Sequence, residues 1–183
     1  MGASRNPSRN EPPTTLVLDC DGVLTDGKYM YTSEGKVMKR FGPDDNDALS
    51  ILSSYLKIHA VSGDKRGFEI TKKRVGDDMK LPLALVSTIR RVDWIRERFD
   101  LERTIYMGDG LFDALVFGEV GYAIAPADAS EIARTQADYV TRRVGGDRAV
   151  AEAVVHIIEK FFEPFDLSKV VGSGKKFGGI WKA

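Results

Sequence analysis

The 183-residue chain is poor in cysteine and histidine, with one of the first and two of the second. A single thiol, Cys20, excludes an internal disulfide and suits a reducing compartment. Lysine plus arginine balance aspartate plus glutamate at 27 each, so the formal net charge is zero. No basic excess points to a general nucleic-acid or membrane-surface binder. No apolar run approaches the roughly 20 residues that a bilayer span requires. Residues 1–13 hold Pro7, Pro12 and Pro13 and no apolar segment of a secretory signal, so they read as a disordered extension. The cytoplasm is the expected compartment.

What is present is a soluble, globular composition, 43% hydrophobic and 30% charged. Short apolar runs alternate with helical patterns. Thr15-Leu16-Val17-Leu18 has the continuous apolar profile of a buried parallel strand. Lys28 to Tyr31 and Lys36 to Phe41 flank Ser33-Glu34-Gly35, which predicts a β-hairpin. Leu49, Leu52, Tyr55 and Leu56 fall at helical spacing behind Asp44 or Asp45 as a cap. Strands are predicted at Ile58–Val61, Leu83–Val86, Thr104–Met107, Tyr122–Ile124 and Asp138–Thr141. Helices are predicted at Lys65–Val75, around Val92 to Phe99, Leu111–Phe117, Ser130–Gln136 and Ala149–Phe162. This alternation predicts an α/β domain over 14–162, a parallel sheet with helices on both faces. Residues 163–183 carry four glycines and no periodicity, and read as a flexible tail that ends in Phe177, Ile180 and Trp181.

Ligands of open parallel sheets bind at the carboxyl ends of the strands. Asp19 and Asp21 end the first predicted strand, Ser62-Gly63 the second core strand, and Asp109 a later one, with Asp113 one helical turn on. Converging carboxylates repel, and a hard divalent cation such as magnesium is their natural counter-charge. A carboxylate nucleophile then takes a phosphoryl group as an aspartyl-phosphate, while a second carboxylate serves as general acid. Gly22 lets the chain turn closely around a phosphate. Cys20 lies between the two acids in sequence, but alternation points its side chain into the core. His59 and His156 read as structural.

Asp19-Cys20-Asp21-Gly22-Val23-Leu24, Ser62 at a strand end, and Gly108-Asp109-x-x-x-Asp113 together resemble the motifs of the haloacid dehalogenase (HAD) superfamily of phosphatases. Leu24-Thr25-Asp26-Gly27, the hairpin that follows, Ala137 to Thr141 and Gly145-Gly146 resemble its capless 3-deoxy-D-manno-octulosonate 8-phosphate phosphatase group. The resemblance implies a Rossmann-like HAD fold with a hairpin flap and no cap domain. It implies Asp19 as nucleophile and Asp21 as general acid/base. Asp19, the backbone carbonyl of Asp21, and Asp109 are implied as Mg2+ ligands. Ser62 and Gly63 would hold the phosphate, with Asp113, Gly22 and Thr25 in support. It further implies a homotetramer and a phosphorylated eight- or nine-carbon keto sugar acid, or a related small sugar phosphate, as substrate.

Two departures stand out. The second motif continues Gly63-Asp64-Lys65-Arg66 where that group has Gly-Arg, and the group's third-motif lysine has no counterpart in Val86 to Arg91. Arg90, Arg91 or Lys65 would have to supply its charge. An inactive module of the same fold, with an oligomerisation or regulatory role, is the alternative those departures raise. A phosphoacceptor receiver is a further alternative, but it needs a late lysine that is not found.

Overall fold

The computed structural model describes residues 11–168. The calls on the N-terminal extension up to residue 10, and on Phe177, Ile180 and Trp181, lie outside them.

Six parallel strands form the sheet: β1 (Thr15–Asp19), β4 (Lys57–Ser62), β5 (Leu83–Leu85), β6 (Thr104–Met107), β7 (Tyr122–Ala125) and β8 (Tyr139–Val140). Their order is β5-β4-β1-β6-β7-β8. β1 therefore lies at the centre, and its last residue pairs in register with Val61 of β4. All five β1 residues are buried, which is why the strand reads as a continuous apolar run. Successive side chains leave opposite faces. Leu16 and Leu18 join one core layer with α1 (Asp45–Leu52) and α6 (Ala149–Phe161). Val17 joins the other, with Tyr106 and residues of α3 (Arg91–Arg96), α4 (Asp113–Phe117) and α5 (Glu131–Gln136). Helices thus cover both faces, as predicted.

The hairpin pairs β2 (Thr25–Thr32) antiparallel with β3 (Gly35–Phe41). It starts directly after β1's loop and stands outside the main sheet.

Several boundaries differ from expectation. Asp44 precedes α1, but its side chain makes no capping bond; it accepts instead from Arg148 at 2.6 Å. Helix α2 (Phe68–Thr71) begins later than Lys65 and continues through wider turns over Lys72–Asp78. The segment after Phe162 begins on the body: Phe165 packs on the first core layer and Glu163 accepts from Tyr55 at 2.6 Å.

Candidate active site

β1 delivers Asp19 to the carboxyl edge of the sheet between Ser62 at the end of β4 and Gly108-Asp109 after β6. The chain loops through Cys20–Leu24, where the Thr25 N–H donates to the Cys20 carbonyl. Thr25 Oγ1 braces this loop by accepting from the N–H groups of Gly22 and Gly27, each at 3.2 Å. Gly22 has φ +87, and a Cβ there would fall 2.1 Å from Asp109 Oδ2. Only glycine lets the loop lie this close to the second acid. On the far side, a Cβ on Gly145 would fall 1.9 Å from the Gly22 carbonyl oxygen. The segment before α6 is therefore pressed backbone to backbone against the nucleophile loop.

Asp19 is buried, and its carboxylate meets a buried guanidinium. Arg91 Nη1 donates to Asp19 Oδ2 at 2.7 Å and Nη2 to Oδ1 at 3.0 Å. The Cys20 N–H donates to Oδ1 at 2.7 Å. Arg91 Nη1 also reaches Asp113 Oδ1 at 2.6 Å and the Tyr106 hydroxyl at 2.7 Å. Tyr106 donates to the same Asp113 oxygen at 2.6 Å. The other Asp113 oxygen accepts the N–H groups of Asp109 and Gly110, at 3.1 and 2.8 Å. Both Asp113 oxygens are thus occupied, one by Arg91 and Tyr106 and the other by the loop that presents Asp109.

Burial pushes the Asp19 carboxyl upward; the Arg91 charge opposes this, while Asp113 and Asp21 add to it. Asp109 is pushed up to about 8, first by burial and then by the Asp19 and Asp113 charges. An oxygen from each of Asp19, Asp109 and Asp113 lies within 4.8 Å of the others. Crowded carboxylates, one of them without a fixed cation, form a hard-oxygen donor set that fits a divalent metal ion.

Asp21 leaves this cluster on the other side of the loop. Its Oδ2 accepts from Ser62 Oγ at 3.1 Å, and Ser62 Oγ accepts the Asp64 N–H at 3.2 Å. Lys39 Nζ of the hairpin stands 2.7 Å from Asp21 Oδ1 and 2.8 Å from Asp64 Oδ2. Cys20 points into the core and is fully buried, as expected. Burial, then Asp19 and Asp21, push its thiol well above its ordinary range.

Of the basic residues read from the sequence, Arg91 is the one that meets the nucleophile. Arg90 is exposed and pairs with Asp93 at 3.5 Å, and Lys65 is exposed in the loop after Gly63. Sequence reasoning missed Lys39, Asp64 and Tyr106. Lys39 shares a strand face with Phe41, which packs against the core, and that spacing was a usable signal. His59 packs at a tilt against Phe99, and His156 stacks on the Tyr139 ring with centroids 3.7 Å apart, both structural.

Nucleophile-type and acid-type carboxylates at the end of a central strand, a hydroxyl beside them and a metal-type acid after β6 define a capless HAD-type hydrolase. No protein-family model matches the chain. It is 32% identical over 146 residues to 3-deoxy-D-manno-octulosonate 8-phosphate phosphatase KdsC of Escherichia coli (strain K12), covering 75% of this chain and 74% of that protein. The Moraxella catarrhalis 3-deoxy-D-manno-octulosonate 8-phosphate phosphatase, solved with magnesium, phosphate and KDO, superposes with a TM-score of 0.71 at 25% identity, covering 80% of this chain and 86% of that one. A putative HAD family hydrolase from Streptomyces avermitilis gives a TM-score of 0.69 at 26% identity, covering 82% of this chain and 90% of that one. The chain belongs to the KdsC family of HAD superfamily phosphatases and is a phosphoric monoester hydrolase. Among the described residues no helix is long and apolar enough to cross a membrane.

Proposed function

We propose that the protein is a Mg2+-dependent phosphomonoesterase that works through an aspartyl-phosphate. Its substrate is a phosphorylated keto sugar acid, 3-deoxy-D-manno-octulosonate 8-phosphate or a nine-carbon analogue, or a related small sugar phosphate. The observation that carries this reading is the division of labour at the end of β1. Asp19 is buried against Arg91, while Asp21 turns toward Ser62 and the hairpin.

In the first half-reaction an Asp19 oxygen bonds to phosphorus as the phosphorus–oxygen bond to the sugar breaks. Asp21 gives its proton to the departing alkoxide. In the second, Asp21 takes a proton from water as that water attacks the aspartyl-phosphate, releasing phosphate and freeing Asp19. Arg91 holds the Asp19 carboxylate and offsets charge on the transferring group. Ser62 and Gly63 line the phosphate side, and Lys65 and Arg90 are available to the outer substrate. Asp19, Asp109 and the Asp21 carbonyl would hold Mg2+, which supplies Lewis-acid stabilisation of the phosphoryl oxygens. The exposed hairpin residues Tyr29, Met30, Tyr31, Val37 and Met38 are each about half exposed or more, which suits burial in a homotetramer. The expected compartment is the cytoplasm.

Purified protein with Mg2+ should release phosphate from a panel of keto sugar acid and simpler sugar phosphates. It should also bind fluoroberyllate, an aspartyl-phosphate mimic. Turnover no greater than that of Asp19→Asn would overturn the reading, and a monomeric mass would overturn the tetramer.

A further inference from the structure

The hairpin carries a buried cation that the two-carboxylate mechanism does not use. Lys39 is 7% exposed, unusual for a lysine on an outlying hairpin. Its ammonium lies 2.7 Å from Asp21 Oδ1, 2.8 Å from Asp64 Oδ2 and 2.8 Å from Thr71 Oγ1. The Thr71 contact is a directed hydrogen bond, and the carboxylate contacts are ion pairs. Three oxygens, two of them carboxylate, thus surround the Lys39 ammonium.

Asp64 explains why the surround exists. It accepts from Lys36 and from the Gly67 N–H as well as facing Lys39. Lys36 in turn sits 3.4 Å above the Tyr29 ring. Asp64 thus ties both hairpin lysines to the loop after β4. The same loop supplies Ser62, the other partner of Asp21.

We propose that Lys39 is a positioning residue for Asp21. It fixes the carboxylate beside Ser62 and makes its placement depend on the docked hairpin through Asp64. This rests on the reading of Asp21 as general acid and base. Its polar contacts are Asp21, Asp64 and Thr71, outside the cluster of Asp19, Asp109 and Asp113.

The test uses the full chain with Mg2+, comparing an alkyl sugar phosphate with p-nitrophenyl phosphate. The p-nitrophenolate leaving group departs without protonation, so formation of its aspartyl-phosphate does not need the acid. Lys39→Met should lower kcat on the sugar phosphate by about 10–100-fold at an unchanged KM, the scale of a misplaced catalytic group. It should keep the p-nitrophenolate burst and fluoroberyllate binding. Thr71→Val keeps the charge, loses one of the three oxygens, and matches the shape of a buried threonine. It should give a loss of roughly 3–10-fold in the same substrate-selective pattern, short of the full general-acid contribution, and it decides the matter if Lys39→Met fails to fold. A p-nitrophenolate burst slowed as much as release of the sugar, a raised KM, lost fluoroberyllate binding or no change would overturn the proposal. Should Asp21→Asn leave sugar-phosphate turnover intact, the underlying assignment of Asp21 fails instead.

Discussion

Arg91 grips both oxygens of Asp19, at 2.7 and 3.0 Å, where the arginine side chain is 1% exposed and the aspartate 8%. One guanidinium also reaches Asp113, so a single side chain spans the nucleophile and the residue that shapes the Asp109 loop. A lysine ammonium is a point donor and cannot reproduce this forked span. Arg91→Met should therefore lower stability by about 3–5 kcal/mol, because it strands two buried carboxylates. Arg91→Lys should fold with a smaller loss yet still lose roughly 10–100-fold in turnover through misplacement. Urea denaturation and phosphate release read the two effects separately.

Crowding of Asp109 makes metal binding compete with protons. Burial and the Asp19 and Asp113 charges push its carboxyl from an ordinary 3.8 up to about 8. A raised carboxyl pKa means that its contribution to stability is complete below its ordinary value and is lost as pH rises through about 8. In a chelator the protein should therefore lose stability over that window. Added Mg2+ should restore it, with a melting-temperature gain that grows as pH rises and the proton leaves. Asp109→Asn should abolish the Mg2+-dependent gain.

Asp45 offers a second pH test away from the reaction centre. It is 3% exposed, its Oδ1 accepts the Ala151 N–H at 2.9 Å, and its Oδ2 has no partner. Burial, reinforced by Asp44 and Asp147, pushes it up to about 6. Its charged form thus opposes folding above that pH, and stability is lost as pH rises from about 4 through about 6. Asp45→Asn keeps the shape without the charge. It should stabilise the protein by about 1–3 kcal/mol near neutrality, with the gain vanishing below the ordinary carboxyl pKa.

Gly22→Ala places a Cβ into the Asp109 carboxylate at a backbone angle of φ +87. Turnover should fall by about 100-fold or more, since the two acids can no longer keep their spacing. The Mg2+-dependent thermal shift should fall with it. Retained turnover would show that the loop relaxes freely.

The elements that place the nucleophile were legible because their physics is local. β1 and β6 are buried on both faces, so each is written as a run of core residues, the first ending at Asp19 and the second leading through Gly108 to Asp109. Side-chain direction at a helix start was not legible. Arg90 and Arg91 are adjacent, and the helical rotation between them sends one to Asp93 in solvent and the other to Asp19. Asp64 read as a departure from the family pattern because its partners, Lys36 and Lys39, arrive from another element. The Tyr106 hydroxyl was hidden for a similar reason: a tyrosine in a core strand gives no sign of what lies beyond its ring.

The contact between Gly145 and the Gly22 carbonyl has a consequence for how the protein is made. Asp19 leaves the ribosome well before the backbone that braces its loop, which lies just ahead of α6. The strands on both sides of β1 are also later products. A nascent or prematurely ended chain thus displays the nucleophile in an unsupported turn. Phosphatase activity should switch on abruptly once the Gly145 segment and α6 are made, rather than accumulate with chain length.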